Sequence, residues 1–166
     1  MLYNKGQAVV CKGTGVCEIV DVKNEKFGGA LQKYYLLLPV YENCPTKIYI
    51  PVSNEATRLR SVISKDEIFS VLEKVKVRGD VWIEDEKERE KEFHSILSSN
   101  DYEAIIKMIC EIHQKQSDKK KNGGKLRQSD ENIMKEAEKT VGQEFAFALD
   151  ISVEEVNRFI VKTLAK

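Results

Sequence analysis

The sequence predicts an α+β protein of two domains, a small β-barrel over residues 1–62 followed by an all-α bundle of about five helices over residues 63–166. The main observation is a change in hydrophobic period near residue 62. Apolar residues come in short β-branched and aromatic runs before it, and at helical spacings of three and four after it. A chain of 166 residues, 42% hydrophobic, is long enough for one domain or two small ones.

The N-terminal part contains four strand-like runs separated by turn-forming residues. The runs are QAVVCK (7–12), GVCEIVDV (15–22), KYYLLLPV (33–40) and TKIYIPV (46–52). The GTG segment (13–15) lacks the ending of a phosphate-binding loop and joins two strands, so it predicts a hairpin turn. Four or five short strands in so few residues favour a strongly bent barrel of the SH3 or Tudor kind, which binds partners through an exposed edge or its loops.

The C-terminal part shows helical periodicity with clear start signals. Ser64 with Glu67, and Ser152 with Glu155, form the pattern of a capping box at the first and last helices. The intervening helices are predicted from about Ile83 to Leu97, from near Asp101, and from about Ser129. Their apolar stripes predict one compact helical bundle.

Composition and charge narrow the function classes. No apolar run is long enough to cross a bilayer and the first residues do not resemble a signal peptide, so we expect a cytoplasmic protein. Lys and Arg number 27, as do Asp and Glu, and the part after residue 77 is slightly acidic. This balance counts against DNA binding by electrostatics alone.

The residue patterns do not predict catalysis. No nucleophile is paired with a base, no CxxC or HExxH spacing occurs, and we expect no cofactor and no metal site. The four cysteines are predicted to be small core hydrophobes, and not disulfides or zinc ligands. A rival interpretation, an enzyme or metal-dependent regulator, would use Cys11, Cys17, His94 or His113.

Two features leave alternatives open. Trp82, the only tryptophan, stands in RGDVWIEDEKEREKEF (78–93), directly before a highly charged run. The ring either packs over the first turn of the helix that follows, or it is presented outward to a partner. The basic segment KKKNGGK (119–125) is either a phosphate-gripping loop or an ordinary surface loop.

Several strings together resemble the CarD/CdnL family of bacterial transcription regulators, whose N-terminal module is shared with the polymerase-interacting domain of the transcription-repair coupling factor. The N-terminal strings are KGQAVV (5–10), GTGV (13–16), YYLL (34–37), IYIPV (48–52), Asn54 and LR (59–60). The helical strings are SSND (98–101), EA (136–137) and GQEFA (142–146). The resemblance covers nearly the whole chain and rests on the order and spacing of these strings.

The resemblance implies that the barrel docks on the β subunit of RNA polymerase by adding an exposed strand edge to a sheet of the partner. By position, the family's basic contacts fall on Lys23 and Tyr49. Lys47, two residues before Tyr49, supplies a positive charge on the same face of the strand. With Pro51, these residues form the predicted polymerase-binding site.

The resemblance also implies that the helical domain contacts promoter DNA beside the melted region, with an exposed tryptophan in the minor groove. Trp82 is the candidate, and the family's basic segment after it is replaced here by IEDE (83–86). The further DNA-binding candidates are Arg78, Lys87, Arg89 and Lys91.

The resulting prediction is a monomeric, non-enzymatic regulator that associates with the nucleoid through RNA polymerase and modulates promoter open-complex stability. On this prediction, contact with promoter DNA is weak and depends on the polymerase. The alternative is a polymerase-binding interaction module whose helical domain recruits another protein and does not bind DNA.

Overall fold

The computed structural model describes residues 1–75 and 82–165 and has an α+β architecture. The strands are β1 (Ala8–Cys11), β2 (Gly15–Phe27), β3 (Ala30–Pro39), β4 (Ile48–Pro51) and β5 (Leu59–Ser61). The helices are α1 (Glu55–Arg58), α2 (Lys65–Val75), α3 (Glu86–Ser98), α4 (Tyr102–Lys121), α5 (Gln128–Leu149) and α6 (Val153–Leu164). The predicted change from strands to helices after residue 62 is therefore observed.

The five strands form one antiparallel sheet in the order β4-β3-β2-β1-β5. In the described residues β4 and β5 lie at opposite edges and do not pair, so the sheet is open and the predicted SH3- or Tudor-like barrel is not confirmed. Strand β5 was not predicted because its three residues, LRS, are too short to show an alternating pattern.

The β2–β3 hairpin is longer than predicted. The ladder continues from Lys23 opposite Tyr34 to Phe27 opposite Ala30, and it turns at Gly28 and Gly29, both with positive φ. Two consecutive positive φ values match the twist of a tight hairpin, which explains why glycine occupies both positions. The polar residues of this extension carry no hydrophobic period, because it projects beyond β1 and β4 into solvent.

The buried hydrophobic side chains form two clusters, one in the sheet and one among the helices. The sheet cluster comes from alternate residues of each strand, with Tyr35 and Leu37 fully buried. The helical cluster includes Phe93 of α3, Ile112 of α4 and Phe145 of α5. The division at residues 62 and 63 into separate domains stays a prediction, because α5 also contacts the sheet.

The helix starts follow their caps. The Asp101 carboxylate accepts a hydrogen bond from the Ala104 N–H at 3.1 Å, as expected for the predicted start of α4. The Asp85 carboxylate accepts one from the Glu88 N–H at 2.8 Å, so α3 begins at Glu86 and not at the predicted Ile83. Both predicted capping boxes form.

Candidate functional site

Strand β4 leaves one of its sides without a strand partner among the described residues. It pairs only with β3, in a register that sets Pro51 opposite Tyr34 and Tyr49 opposite Leu36. An edge strand presents a row of backbone N–H and C=O groups that a foreign strand can pair with. The geometry that the predicted docking mode requires is therefore present at β4.

Three of the four predicted docking residues lie on one face of the sheet. Lys23 is directly opposite Tyr34, and Tyr34 is directly opposite Pro51. Tyr49 is two residues from Pro51 along β4, so its side chain points to the same face. The register of three strands thus brings Lys23, Tyr49 and Pro51 together at the β4 edge, although they are up to 28 residues apart in sequence.

An aromatic cluster forms the surface between these residues. The ring centroids of Phe27 and Tyr34, and of Phe27 and Tyr49, are each 5.1 Å apart with edge-to-face geometry. Tyr34 is only 7% exposed, whereas Phe27 is 50% exposed. We call Phe27, Tyr34, Tyr49 and Lys23 the aromatic face. Such edge-to-face contacts contribute about 0.5–1.5 kcal/mol each beyond burial, so they stabilise the hairpin next to the edge strand.

Lys23 is held over this surface by two neighbours. Its Nζ lies 5.6 Å from the centroid of the Tyr49 ring and 2.8 Å from the Glu25 carboxylate. The hydrogen bond to Glu25 raises the pKa of Lys23 above its ordinary value, so the ammonium stays protonated at physiological pH. Lys47 is exposed directly before β4. Residues 1–62 contain eight Lys/Arg and five Asp/Glu, so this part of the chain has a net positive charge.

Trp82 is partly buried and packs against the helical cluster. Its ring meets Phe93 edge-to-face with 6.0 Å between centroids. The Arg89 guanidinium carbon lies 4.6 Å from the ring centroid, and the Lys115 Nζ lies 5.3 Å from it. Of the two alternatives for this residue, the contacts correspond to packing at the entrance of α3, with part of the ring still accessible to solvent.

The side chain of Arg89 is buried, whereas a contact with DNA requires it to be exposed. It is 4% exposed, and its guanidinium donates to both carboxylate oxygens of Asp130 at 3.1 and 2.9 Å. It also donates to the carbonyl oxygens of Ile83 and Glu84 at 2.8 and 3.3 Å. Its donors are thus used inside the protein, which corrects the prediction that Arg89 contacts DNA.

The other predicted DNA contacts are distributed differently. Lys87 and Lys91 are exposed on α3 and lie four residues apart, on the same side of the helix. They share this helix with exposed glutamates at positions 86, 88, 90 and 92. Arg78 lies outside the described residues. Whether Lys87 and Lys91 bind DNA stays a prediction.

Of the residues of the rival metal or enzyme interpretation, Cys11 and Cys17 are hydrogen-bonded to each other through their side chains, whereas His94 and His113 lie on two different helices. Cys11 and Cys17 are buried in the sheet, His94 is exposed on α3, and His113 of α4 contacts Glu138 of α5 at 2.6 Å. Within residues 1–75 and 82–165, no group of three or more His, Cys, Asp or Glu side chains is arranged to hold a metal ion. The helices in that same part of the chain are all too short or too polar to span a membrane.

Sequence reasoning missed Phe27, Tyr34 and Glu25 as parts of the site. The Phe27-Gly28-Gly29 string marked a turn, and continuing the strand pairing outward from that turn would have set Glu25 and Phe27 on the face of Lys23. The signal was therefore present, but it depended on the hairpin register. The buried partners of Arg89 and Arg60 had no such signal, because they are 41 and 84 residues away.

In the described residues the open sheet leaves one side of β4 unpaired, with Lys47 directly before it, which is a geometry that pairing with a foreign strand requires. Residues 3–63 match the family model of the CarD-like/TRCF RID domain. This part of the chain is thus similar to a domain whose family interacts with RNA polymerase, and the match begins and ends close to the limits of the sheet. No curated protein matches the chain with significance.

Proposed function

We propose that this protein is a non-enzymatic transcription regulator that binds the β subunit of RNA polymerase through the edge of β4. The observation that carries the proposal is the free side of β4 next to the aromatic face, within the segment that matches the CarD-like/TRCF RID domain. Backbone hydrogen bonds to a polymerase strand supply affinity, and Lys23, Lys47, Tyr49 and Pro51 supply selectivity.

Electrostatics supports a role for the two lysines in partner selection. Lys23 and Lys47 flank Tyr49, and the sheet part of the chain has a net positive charge. Charges at the rim of an interface act mainly on the association rate and on the choice of partner. The polymerase strand that pairs with β4 is accordingly expected to have acidic neighbours.

The test is the affinity of the full-length chain for core RNA polymerase. Changing Lys23 and Lys47 together to Glu should weaken binding by about tenfold, which corresponds to about 1.4 kcal/mol. The matched control changes Lys135 and Lys139 of α5 to Glu, since both are exposed and the change in net charge is the same. Equal affinity for the two variants would place the docking surface elsewhere.

We further propose that the helical part modulates open-complex stability by contacting DNA upstream of the melted region. Tethering by the sheet raises the effective concentration of a weak DNA-binding surface at the promoter, so a neutral chain is sufficient. Lys87, Lys91 and the accessible part of Trp82 are the candidate contacts. Polymerase complexes should protect additional upstream DNA and dissociate more slowly when the protein is present.

A second candidate function is supported by the packing of Trp82. Its ring already contacts Phe93, Arg89 and Lys115, and α3 exposes four glutamates beside Lys87 and Lys91. These features favour a helical part that recruits another protein and leaves DNA alone. Unchanged footprints and open-complex lifetimes, with polymerase binding intact, would support this second function over the first.

A further inference from the structure

A buried carboxylate joins the sheet to the helices. Glu144 of α5 is 1% exposed, and each of its oxygens accepts a hydrogen bond from Arg60 of β5, at 2.7 and 2.9 Å. It also accepts from the backbone N–H of Ile63, at 2.9 Å, and from the hydroxyl of Tyr102, the first residue of α4. One side chain therefore ties together β5, the connection that follows it, α4 and α5.

The partners of Glu144 also support one another. The Arg60 guanidinium carbon lies 5.4 Å from the centroid of the Tyr102 ring, a cation–π distance. Burial, reinforced by the nearby Glu144 carboxylate, raises the pKa of Tyr102, so its hydroxyl stays protonated and donates. With four donors around it, the carboxylate is fully hydrogen-bonded, which is the condition under which a buried charge is tolerated.

The sheet and the helices also come close together at two further points. A Cβ added to Gly15, at the start of β2, would lie 2.3 Å from the Oε1 atom of Gln143, so the residue next to Glu144 also approaches the sheet closely. Tyr41, just after β3, packs against the helical cluster. Among these contacts in the described residues, Glu144 is the only buried charge.

We propose that Glu144 is a positioning residue that holds the sheet and the helical part in one fixed orientation. Because Arg60 is on β5, at the edge opposite β4, this connection leaves the β4 edge free for a partner. A partner bound at β4 would then present the surface around Trp82 at a set distance and direction. A neutral, weakly binding helical part gains most from such an arrangement, since no orientational freedom has to be removed on binding.

The test measures orientation in the protein alone. Spin labels on cysteines introduced at Lys33 and Lys139 report the distance between sheet and helices, in a chain with Cys44→Ser and Cys110→Ala so that only these sites react. We expect one narrow distance distribution for the parent chain. Arg60→Met leaves Glu144 buried without its cation, and we expect it to broaden the distribution by about twofold.

The helical part contains a matched control. Arg89 of α3 and Asp130 of α5 form another ion pair with two hydrogen bonds. Unlike the Arg60–Glu144 pair, it joins one helix to another and does not involve the sheet. Arg89→Met should lower the melting temperature at least as much as Arg60→Met, because Arg89 is more buried and makes two further hydrogen bonds, and it should leave the distance distribution narrow. An unchanged distribution in Arg60→Met, or equal broadening in both variants, would overturn the proposal.

A gentler variant covers the case in which Arg60→Met does not fold. Glu144→Gln keeps the size and one acceptor oxygen but removes the charge, so it should give a smaller broadening in the same direction; no broadening would again overturn the proposal. The consequence for transcription rests on the proposed function: these variants should bind polymerase normally and lose the extra upstream protection. Since the label measurement contains no polymerase, its outcome is independent of that function.

Discussion

At the scale of single residues, Trp82 and Arg89 show how a neighbour decides what a side chain does. Arg89 pairs with Asp130 and holds the carbonyl groups of Ile83 and Glu84, so the segment entering α3 is fixed to the bundle. The Trp82 ring then lies against this guanidinium. Its position before a charged run therefore has a structural reason, which does not depend on any partner.

We expect Trp82→Ala to lower the free energy of unfolding by about 2 kcal/mol, because removing a fully buried aromatic ring costs about 3–5 kcal/mol and this ring is only partly buried. Urea denaturation of the variant, with Trp82→Phe as the control that keeps an aromatic ring over Arg89, measures the loss. A loss below about 0.5 kcal/mol, the range of an ordinary surface substitution, would mean that the ring is in effect a free surface group.

At the scale of elements, turns and caps decide where strands and helices start. Asp85, and not Ile83, marks the start of α3 because its carboxylate caps the Glu88 N–H. Gly15 begins β2 with φ of +106°, a conformation that residues with a side chain rarely adopt, at a point where α5 comes close to the sheet. One glycine therefore serves both the β1–β2 turn and the packing of the helix on the sheet.

We expect Gly15→Ala to destabilise the protein by about 1–3 kcal/mol through backbone strain, with only a small further cost from Gln143, because the end of that flexible side chain can move away. Gly29→Ala is the matched control, because Gly29 has φ of +100° but nothing within 4 Å of an added Cβ. The difference between the two melting curves reports the contact with Gln143. Adding Gln143→Ala should recover that difference only; a full recovery would contradict the strain at Gly15.

At the scale of the whole molecule, two hydrophobic clusters are joined by charge. The sheet cluster and the helical cluster are each made of apolar side chains, whereas the connection between them includes the Arg60–Glu144 pair.

Three other glutamates accept hydrogen bonds at or near the starts of helices. Glu55 accepts from the Tyr35 hydroxyl at 2.5 Å and from the Leu2 N–H at 3.0 Å, while Glu67 and Glu155 complete the capping boxes.

These carboxylates make stability fall in acid. Hydrogen bonds from Tyr35 to Glu55, and from the backbone N–H groups of Ser64 and Ser152 to Glu67 and Glu155, lower the pKa of each acid from its ordinary value in the folded state. A lowered folded-state pKa stabilises the protein above the unfolded-state pKa, and that contribution is lost as the pH falls through the folded-state value.

We therefore expect the melting temperature to decrease steadily below about pH 4.5. Glu55→Gln should melt lower than the parent at pH 7 and show a smaller decrease between pH 5 and pH 3. A decrease equal to that of the parent would mean that Glu55 does not contribute to the pH dependence.

The sequence by itself determined the change from strands to helices, four of the five strands, the starts of α2, α4 and α6, and the residues that alternate on the strands. Each of these follows from contacts between residues a few positions apart. The choice of Lys23, Tyr49 and Pro51 as docking residues came instead from the family resemblance, and the register of three strands sets them on one face. The family match to residues 3–63 agrees with the resemblance seen in the N-terminal strings.

The tertiary structure decided the features that depend on distant partners. The fifth strand, the open sheet, the ion pairs of Arg89 and Arg60, and the packing of Trp82 join residues that are far apart in sequence or too few to show a period. An arginine in an exposed-looking helix gives no local sign of a carboxylate that folding brings beside it, because burial and ion pairing are set by which elements meet.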